Sequence, residues 1–545
     1  MTATTKPKVE IPVVPAHAIV GIVAVSLSAV NSSLGSGLLS VGLEDLRGAW
    51  GLGIDDAAYL PTAFNASQMF MGVVSVLLAA RFGHRPVLLF AGTVYAIACL
   101  VLPLVAPHIV PLTLILMIAG MASGTFYPLC LSFISRNLPL SLVTYGVAAY
   151  NLDLLATNHM TQLLEGLCIL NASWHWLFWS QALLALPMLL CVHRGIPATP
   201  QDQLLPKFNW SGVFYVSGAL SLFYIALDQG ERLDWYNNGL INGLVLAGVL
   251  LLVAAVIHRK FAPNPFLDFE YVRKRNILLL GFLMLAFRTL LVRVNFIIPV
   301  FLETLHQYRP TETGALFALS VIPFMVALPT VAFLMRNLHV RYVLLIGFAS
   351  LALINFRDAH ALSTWMLPEF VWTQMLGAAG ICMVAMGVIA GMVFAGRQSG
   401  AYRNRAGAYA QGAVFQAARL FASVSSVSAF RRYLLFREHF WQTKLTAGLQ
   451  PAWTFEQRSS YLGVALAPQA PGAQQARDIG VGLIAHDVRT QAFTLAIDDT
   501  FMLMAWVCII GLVALSLMVK IPLPRDLPAV GEENTRAEDD NDSKS

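Results

Sequence analysis

Apolar runs about twenty residues long, separated by short polar stretches, recur along almost the whole chain. At the rise of an α-helix, about 20 apolar residues match the hydrocarbon thickness of a bilayer. About fourteen runs can be placed, near 18–42, 57–80, 86–106, 109–134, 142–169, 175–194, 210–228, 238–258, 277–300, 312–335, 341–356, 366–395, 406–430 and 498–521. They predict an all-α membrane protein with fourteen transmembrane helices. The first run, from about His17 to Leu43, is too long for a signal peptide and is read as an uncleaved first helix. With 57% hydrophobic and 12% charged residues in 545, no large soluble domain fits beside the spans.

Loop charge gives the spans an orientation. One set of alternate loops holds Arg81 and Arg85, Arg136, Arg194 and Lys207, Arg259 to Arg275, Arg336 and Arg341, then Arg397, Arg403 and Arg405. The other set holds Glu44, Asp45, Asp55 and Asp56, then Asp228, Glu231 and Asp234, then Glu303 and Glu312. Basic loops stay on the cytoplasmic side, so both termini are expected inside. The expected divisions are a cytoplasmic N-terminus at 1–17, a six-helix bundle at 18–194, two inserted helices with linkers at 195–275, and a second six-helix bundle at 276–521. Within the last, residues 431–497 read as a long outer loop broken by Pro451, Pro468 and Pro471. Its start, Phe430 to Leu445, suits an extension of span 13 or an interfacial helix. The acidic tail at 522–545 reads as disordered and cytoplasmic.

The net charge of +5 is spread through short loops and does not suggest nucleic acid as a partner. The six cysteines lie in or beside apolar spans without metal-ligand spacing. No phosphate-cradling loop and no H-E-x-x-H pattern occurs. The expectation is a protein that is not an enzyme and needs no cofactor or metal. Two N-A-S tripeptides, at 65–67 and 171–173, fall in spans or at their edges and are read as chance matches to a glycosylation sequon.

Polar residues inside the spans carry the chemistry. A charge at mid-membrane costs roughly 2.5–3.5 kcal/mol on insertion scales, so it usually faces a partner or a water cavity. In span 5, Asn151, Asn158, Gln162 and Glu165 fall within a stripe roughly 60° wide, at about 100° per residue. Asp153 and His159 lie off it. The stripe reads as a cavity wall with a titratable carboxylate, or as hydrogen-bonding glue between helices. Span 9 carries Arg288, roughly 18 Å along from Asn276 and so near the midplane, and Arg293, within snorkelling reach of the outer surface. Arg288 shares a face with Asn295 and needs an acceptor: Asp153, Glu165 or an anionic substrate. In span 13, Gln416, Arg419, Ser423 and Ser426 share a face. Gln374 in span 12 and Asn31 in span 1 are further intrusions, readable as packing or as cavity lining.

The loop after span 2, A-A-R-F-G-H-R-P-V-L-L from Ala79 to Leu89, resembles the Gly-x-Leu-Ala-Asp-Arg-x-Gly-Arg-Arg signature of the major facilitator superfamily, with Arg81, Gly83 and Arg85 matching. Other segments resemble its fourteen-helix drug/proton antiporter branch: S-W-H-W-L-F-W from Ser173, L-D-Q-G-E-R-L-D-W from Leu227, P-F-L-D-F-E-Y-V-R-K-R-N from Pro265, and Arg419 in a span rich in small residues. The resemblance covers about residues 15 to 522. It implies two six-helix pseudo-symmetric bundles plus two inserted helices, a central cavity and alternating access. A weak internal echo fits, since R-F-G-H-R at 81–85 and R-N-L-H-V-R at 336–341 occupy corresponding loops.

The resemblance further implies proton-driven export of small amphipathic organic compounds (drugs or metabolites) across a bacterial inner membrane. A periplasmic adaptor protein is a candidate partner beside substrate, protons and the lipid bilayer. Arg81, Gly83 and Arg85 become the conformational-switch loop. The usual coupling positions differ. The family's span 1 acid aligns with Gly35, the signature Asp with Ala80 and its first Gly with Val76. The span 4 Arg aligns with Leu116, and the Gly-Pro-x-x-Gly-Gly motif with T-Q-L-L-E-G at Thr161 to Gly166. Glu165 and Asp153 are therefore the proton-coupling candidates. Asn31, Asn151, Asn158, His159, Gln162, Arg288, Gln374 and Arg419 are the cavity candidates. Loss of family acids alongside span 9 arginines points towards neutral or anionic amphiphiles. Uncoupled or uptake transport of an organic anion, or a non-transporting sensor or scaffold, stands as the alternative.

Overall fold

The computed structural model describes residues 15–106, 108–137, 140–197, 210–261, 273–398, 405–448 and 473–521. The expected termini, much of the linkers at 195–275 and the middle of the 431–497 segment lie outside these. Apart from turns and one short 3₁₀ segment, the described residues are helical. The helices are α1 Pro15–Val41, α2 Leu43–Trp50, α3 Ile54–Phe82, α4 His84–Val105, α5 Ile109–Gly124, α6 Phe126–Asn137, α7 Leu140–Asn171, α8 Trp176–Gly195, α9 Trp210–Gln229 and α10 Gly239–Phe261. They continue with α11 Arg275–Val292, α12 Ile298–His306, α13 Pro310–Leu319, α14 Val321–Leu334, α15 Val340–Asp358, α16 Leu367–Gln398, α17 Arg405–Gly448 and α18 Ala473–Ser516.

Twelve candidate spans among the described residues are long and apolar enough to cross a membrane. The two long helices that fall outside that set, α7 and α17, carry polar residues within their apolar stretches, among them Asn151, Asp153, Asn158, Gln162 and Glu165 in α7 and Gln416 and Arg419 in α17. With them the crossings number fourteen. Three crossings are interrupted for local reasons. Pro299 has no N–H for the carbonyl four residues earlier, and a wide π turn at Arg293–Ile297 joins α11 to α12. Pro323 likewise follows the break at Ser320 between α13 and α14. At Thr125, between α5 and α6, the hydroxyl donates to the Ala122 carbonyl (2.8 Å).

One group of helices, α1 with α3 to α8, packs among itself, and a second comprises α11 to α18. They meet where α13 and α14 lie on α7, and where α17 lies on α3. Helices α9 and α10 pair with each other outside this contact, with α9 against α3 and α17. Close approach uses glycine. A Cβ on Gly120 would stand 2.2 Å from the Phe64 carbonyl oxygen, and one on Gly124 would stand 2.5 Å from that of Gln68.

The 431–497 segment departs from the loop expected of it. Of the two expectations for its start, the helical extension is observed: α17 runs unbroken to Gly448 and α18 begins at Ala473. Each spans 44 residues, or about 66 Å, roughly twice the thickness of a hydrocarbon core. They hold together by burying Phe430 and Leu434 among Phe493, Ile497 and Phe501. Arg437 also pairs with Asp499 (2.6 Å), and the Trp441 Nε1–H donates to the same carboxylate (2.5 Å).

Candidate functional site

Helix α7 lies along the meeting of the two groups, which is why its polar positions matter. Asn151 is fully buried; its Nδ2 donates to the Val147 carbonyl (2.9 Å) and reaches Met386 Sδ of α16 (3.5 Å), while Oδ1 has no partner. Gln162 Oε1 accepts from the Thr313 hydroxyl of α13 (3.0 Å). Asn158, in the same stripe, is half-buried. His159 points elsewhere. Its Nδ1–H donates to the Leu155 carbonyl (2.8 Å) and its ring meets Phe324 of α14 edge-on (4.8 Å). The stripe is thus largely interhelical contact in its lower turns and changes character at Glu165.

Glu165 is fully buried; among the described residues no N–H or O–H donor reaches either carboxylate oxygen, and the side chain within hydrogen-bonding reach is the Asp45 carboxyl. Its Cγ lies 3.3 Å from where a Cβ on Gly42 would stand, at the α1–α2 junction. Its titratable neighbours are Asp45 and Cys168. The next residue, Gly166, packs on the Thr311 backbone, where a Cβ would clash at 2.8 Å. Glu165 therefore sits where one group touches the other. Asp153 faces the interior of the first group, near Ser26, Tyr127 and Tyr150, with Oδ2 unpartnered.

The arginines divide by their partners. Arg293 is buried rather than snorkelling: it donates from Nη2 to Asp358 Oδ2 (2.6 Å) and Thr373 Oγ1 (3.0 Å), and from Nη1 to Gln374 Oε1 (2.8 Å). Gln374 is held at its other end too, its Nε2 donating to Ser320 (3.1 Å), so it belongs to this ion-pair network. Arg288 is buried with Nε and Nη1 unpartnered, and among the described residues it makes no ion pair. Neither Asp153 nor Glu165 is its acceptor. Its electrostatic neighbours are Arg419, Tyr127, Tyr150 and Tyr224. Asn295 does not share its environment. The π turn shifts the helical register and leaves Asn295 exposed.

Arg419 is also buried, with no carboxylate partner among the described residues. Its Nε donates to Gln416 Oε1 (3.0 Å), and its guanidinium lies over the Tyr127 ring (4.1 Å to the centroid). The Tyr127 hydroxyl bonds Ser33, and its ring stands edge-on to Tyr150 (5.5 Å). Tyr150 Oη and Gln416 Nε2 are buried and have no hydrogen-bond partner among the described residues. Tyr127, Tyr150 and Tyr224 do not stand out in the sequence. The available signal was a phenol inside an apolar span, which has to find a polar neighbour.

Asn31 is fully buried against α8 beside Met188 (3.9 Å). The space next to Gly35 is filled: a Cβ there would meet the Tyr95 hydroxyl at 2.5 Å, and that hydroxyl bonds Gln181 and the Asn31 carbonyl. In the α3–α4 loop, Gly83 adopts φ 92, a left-handed value suited to glycine, and its N–H caps Ala79 (2.9 Å). Arg81 is exposed and lies over Phe82 (5.7 Å), while Arg85 donates to His193 Nδ1 at the end of α8 (3.0 Å). Among the described residues no three His, Cys, Asp or Glu side chains gather as metal ligands.

Two helix groups in a membrane, meeting across buried polar residues, have the architecture of a solute transporter. The chain belongs to the Major Facilitator Superfamily, whose model matches residues 25–429. It is 24% identical over 254 residues, 47% of its length, to a probable multidrug resistance protein, EmrY, of Escherichia coli (strain K12). It is 23% identical over 293 residues, 53% of its length, to the multidrug export protein EmrB of Haemophilus influenzae (strain ATCC 51907 / DSM 11121 / KW20 / Rd). The chain spans about half the length of these curated relatives, 49% and 57%. The solved human organic anion transporter MFSD10 (TETRAN) shares the fold at 13% identity, with a TM-score of 0.51 over 91% of this chain and all of that one.

Proposed function

We propose that the protein is a proton-driven exporter of small amphipathic organic compounds, working by alternating access in a bacterial inner membrane with both termini in the cytoplasm. The observation that carries this is Glu165, a buried carboxyl facing Asp45 with no donor among the described residues, where α7 meets the α1–α2 junction, one residue from the close contact with α13. A site there changes its exposure whenever the two groups rock, and so takes up a proton in one state and releases it in the other. The two multidrug relatives agree with export, and the loop charges with the orientation.

In proteoliposomes with an imposed pH gradient, fluorescence quenching reports proton movement on substrate addition. Glu165→Gln abolishes it, whereas Asp153→Asn weakens it. Unchanged substrate-driven proton movement in Glu165→Gln sinks the reading. A response that is independent of the gradient makes the protein an uncoupled transporter. The parts of α17 and α18 beyond the bilayer, with exposed Phe436, Phe440 and Ile479, are the surface we assign to a periplasmic adaptor. Photo-crosslinking from position 436 in intact cells captures that adaptor if the assignment holds, and only lipid or this chain itself if it does not.

A further inference from the structure

The treatment of buried arginines within this one chain is uneven. Arg293 has a carboxylate, an amide and a hydroxyl as acceptors. Burying a guanidinium costs several kcal/mol unless it is paired and its N–H groups are satisfied, and Arg293 meets that condition. Arg288 and Arg419 do not. They are electrostatic neighbours of the same sign, neither has an anionic partner among the described residues, and two Arg288 nitrogens donate to nothing. Around them stand further groups without a partner among the described residues, the Tyr150 hydroxyl and the Gln416 Nε2. The Tyr127 ring is already engaged with Arg419 on one face (4.1 Å) and edge-on with Tyr150 (5.5 Å).

This arrangement is supplied by four elements: α6 (Tyr127), α7 (Tyr150), α11 (Arg288) and α17 (Arg419, Gln416). It therefore lies between the two helix groups. What it lacks is a negative charge with several acceptor lone pairs. A carboxylate meets that need, because guanidinium groups present paired donors matched to its two oxygens. The aromatic surroundings suit a flat or apolar body attached to it.

Resting on the exporter reading for its biological sense, we propose that the transported compounds are organic monoanions. The carboxylate is held between Arg288 and Arg419, the Tyr150 hydroxyl and Gln416 amide complete its hydrogen bonds, and the hydrophobic part packs on Tyr127 and Tyr150. Asp153, near Tyr127 and Tyr150 but not paired with either arginine, favours release by repelling the same anion as the groups rock.

The test is direct binding to the purified full-length chain in nanodiscs, with no gradient. Naphthoate is the probe; naphthylmethanol and naphthylmethylamine are its neutral and cationic isosteres. The wild-type chain binds naphthoate at least about tenfold more tightly than either isostere, a charge-assisted pair being worth that much. Arg288→Gln and Arg419→Gln each remove that preference while leaving naphthylmethanol within about twofold, and Arg288→Lys keeps part of it.

Equal binding of the three probes by the wild-type chain, or no binding of naphthoate, overturns the proposal. So does a Gln variant that keeps full preference for the anion. The wild-type comparison decides even if a variant fails to fold. Selective naphthoate binding without gradient-driven efflux would leave this site standing and remove the exporter reading instead.

Discussion

Arg288 and Arg293 lie five positions apart on one apolar stretch, yet only one of them is paired. The pairing is a tertiary fact, because Asp358 is 65 residues away in the sequence. Removing one partner leaves a buried charge alone, so Asp358→Asn lowers stability by about 3–5 kcal/mol. Thermal unfolding of the purified protein checks this, and Arg293→Met combined with Asp358→Leu recovers most of the loss. Arg288→Met removes an unpaired charge, so it leaves stability unchanged or raises it, in the same assay. The opposite ranking of the two arginines would show that Arg288 has a partner in solution. Arg288 and Arg419 were readable as anomalies, since charge in an apolar span is costly wherever it lies. Tyr127, Tyr150 and Tyr224 were not, because a phenol in a span is ordinary until its neighbours are known. Gln374 looked like a cavity residue for the same reason that it serves Arg293: an amide supplies an acceptor in either setting.

At the scale of elements, α3 and α5 approach so closely that Gly120 and Gly124 face carbonyl oxygens of Phe64 and Gln68. Gly124→Val has no room without moving a helix, and overpacking of this kind costs about 1–3 kcal/mol. The expected result is a lower unfolding temperature, with Gly281→Ala, where a Cβ meets nothing within 4 Å, as the neutral control. Equal stability of the two variants would mean that the helices separate freely. Helix existence was legible from apolar length alone. Helix breaks were less so: Pro299 and Pro323 announce a missing donor, but not whether the chain kinks, widens to a π turn or ends. The continuation of α17 to Gly448 was legible only as one of two options. Its polar face is stabilised by α18, through Arg437, Trp441 and Asp499, and not by its own periodicity.

For the whole molecule, the alternating access proposed above makes the contact of α7 with α13 the joint that would have to open. Gln162 and Thr313 hydrogen bond across it (3.0 Å). With the native cysteines replaced, Gln162→Cys together with Thr313→Cys is expected to form a disulfide on mild oxidation and stop transport, with recovery on reduction. Full transport by the crosslinked protein would exclude opening at this joint. By itself the sequence determined that the chain is a bundle of membrane helices, because apolar length is a local property that the bilayer reads directly. It also determined which polar residues stand out, because lipid tolerates few of them, and through the Ala79–Leu89 loop it pointed to the family. Only the tertiary structure decided which of those residues are satisfied. Pairing depends on partners brought together from distant helices. That is why Arg293 and Gln374 settle into a closed network, while Glu165, Arg288 and Arg419 are left with unmet electrostatic needs where the two groups meet.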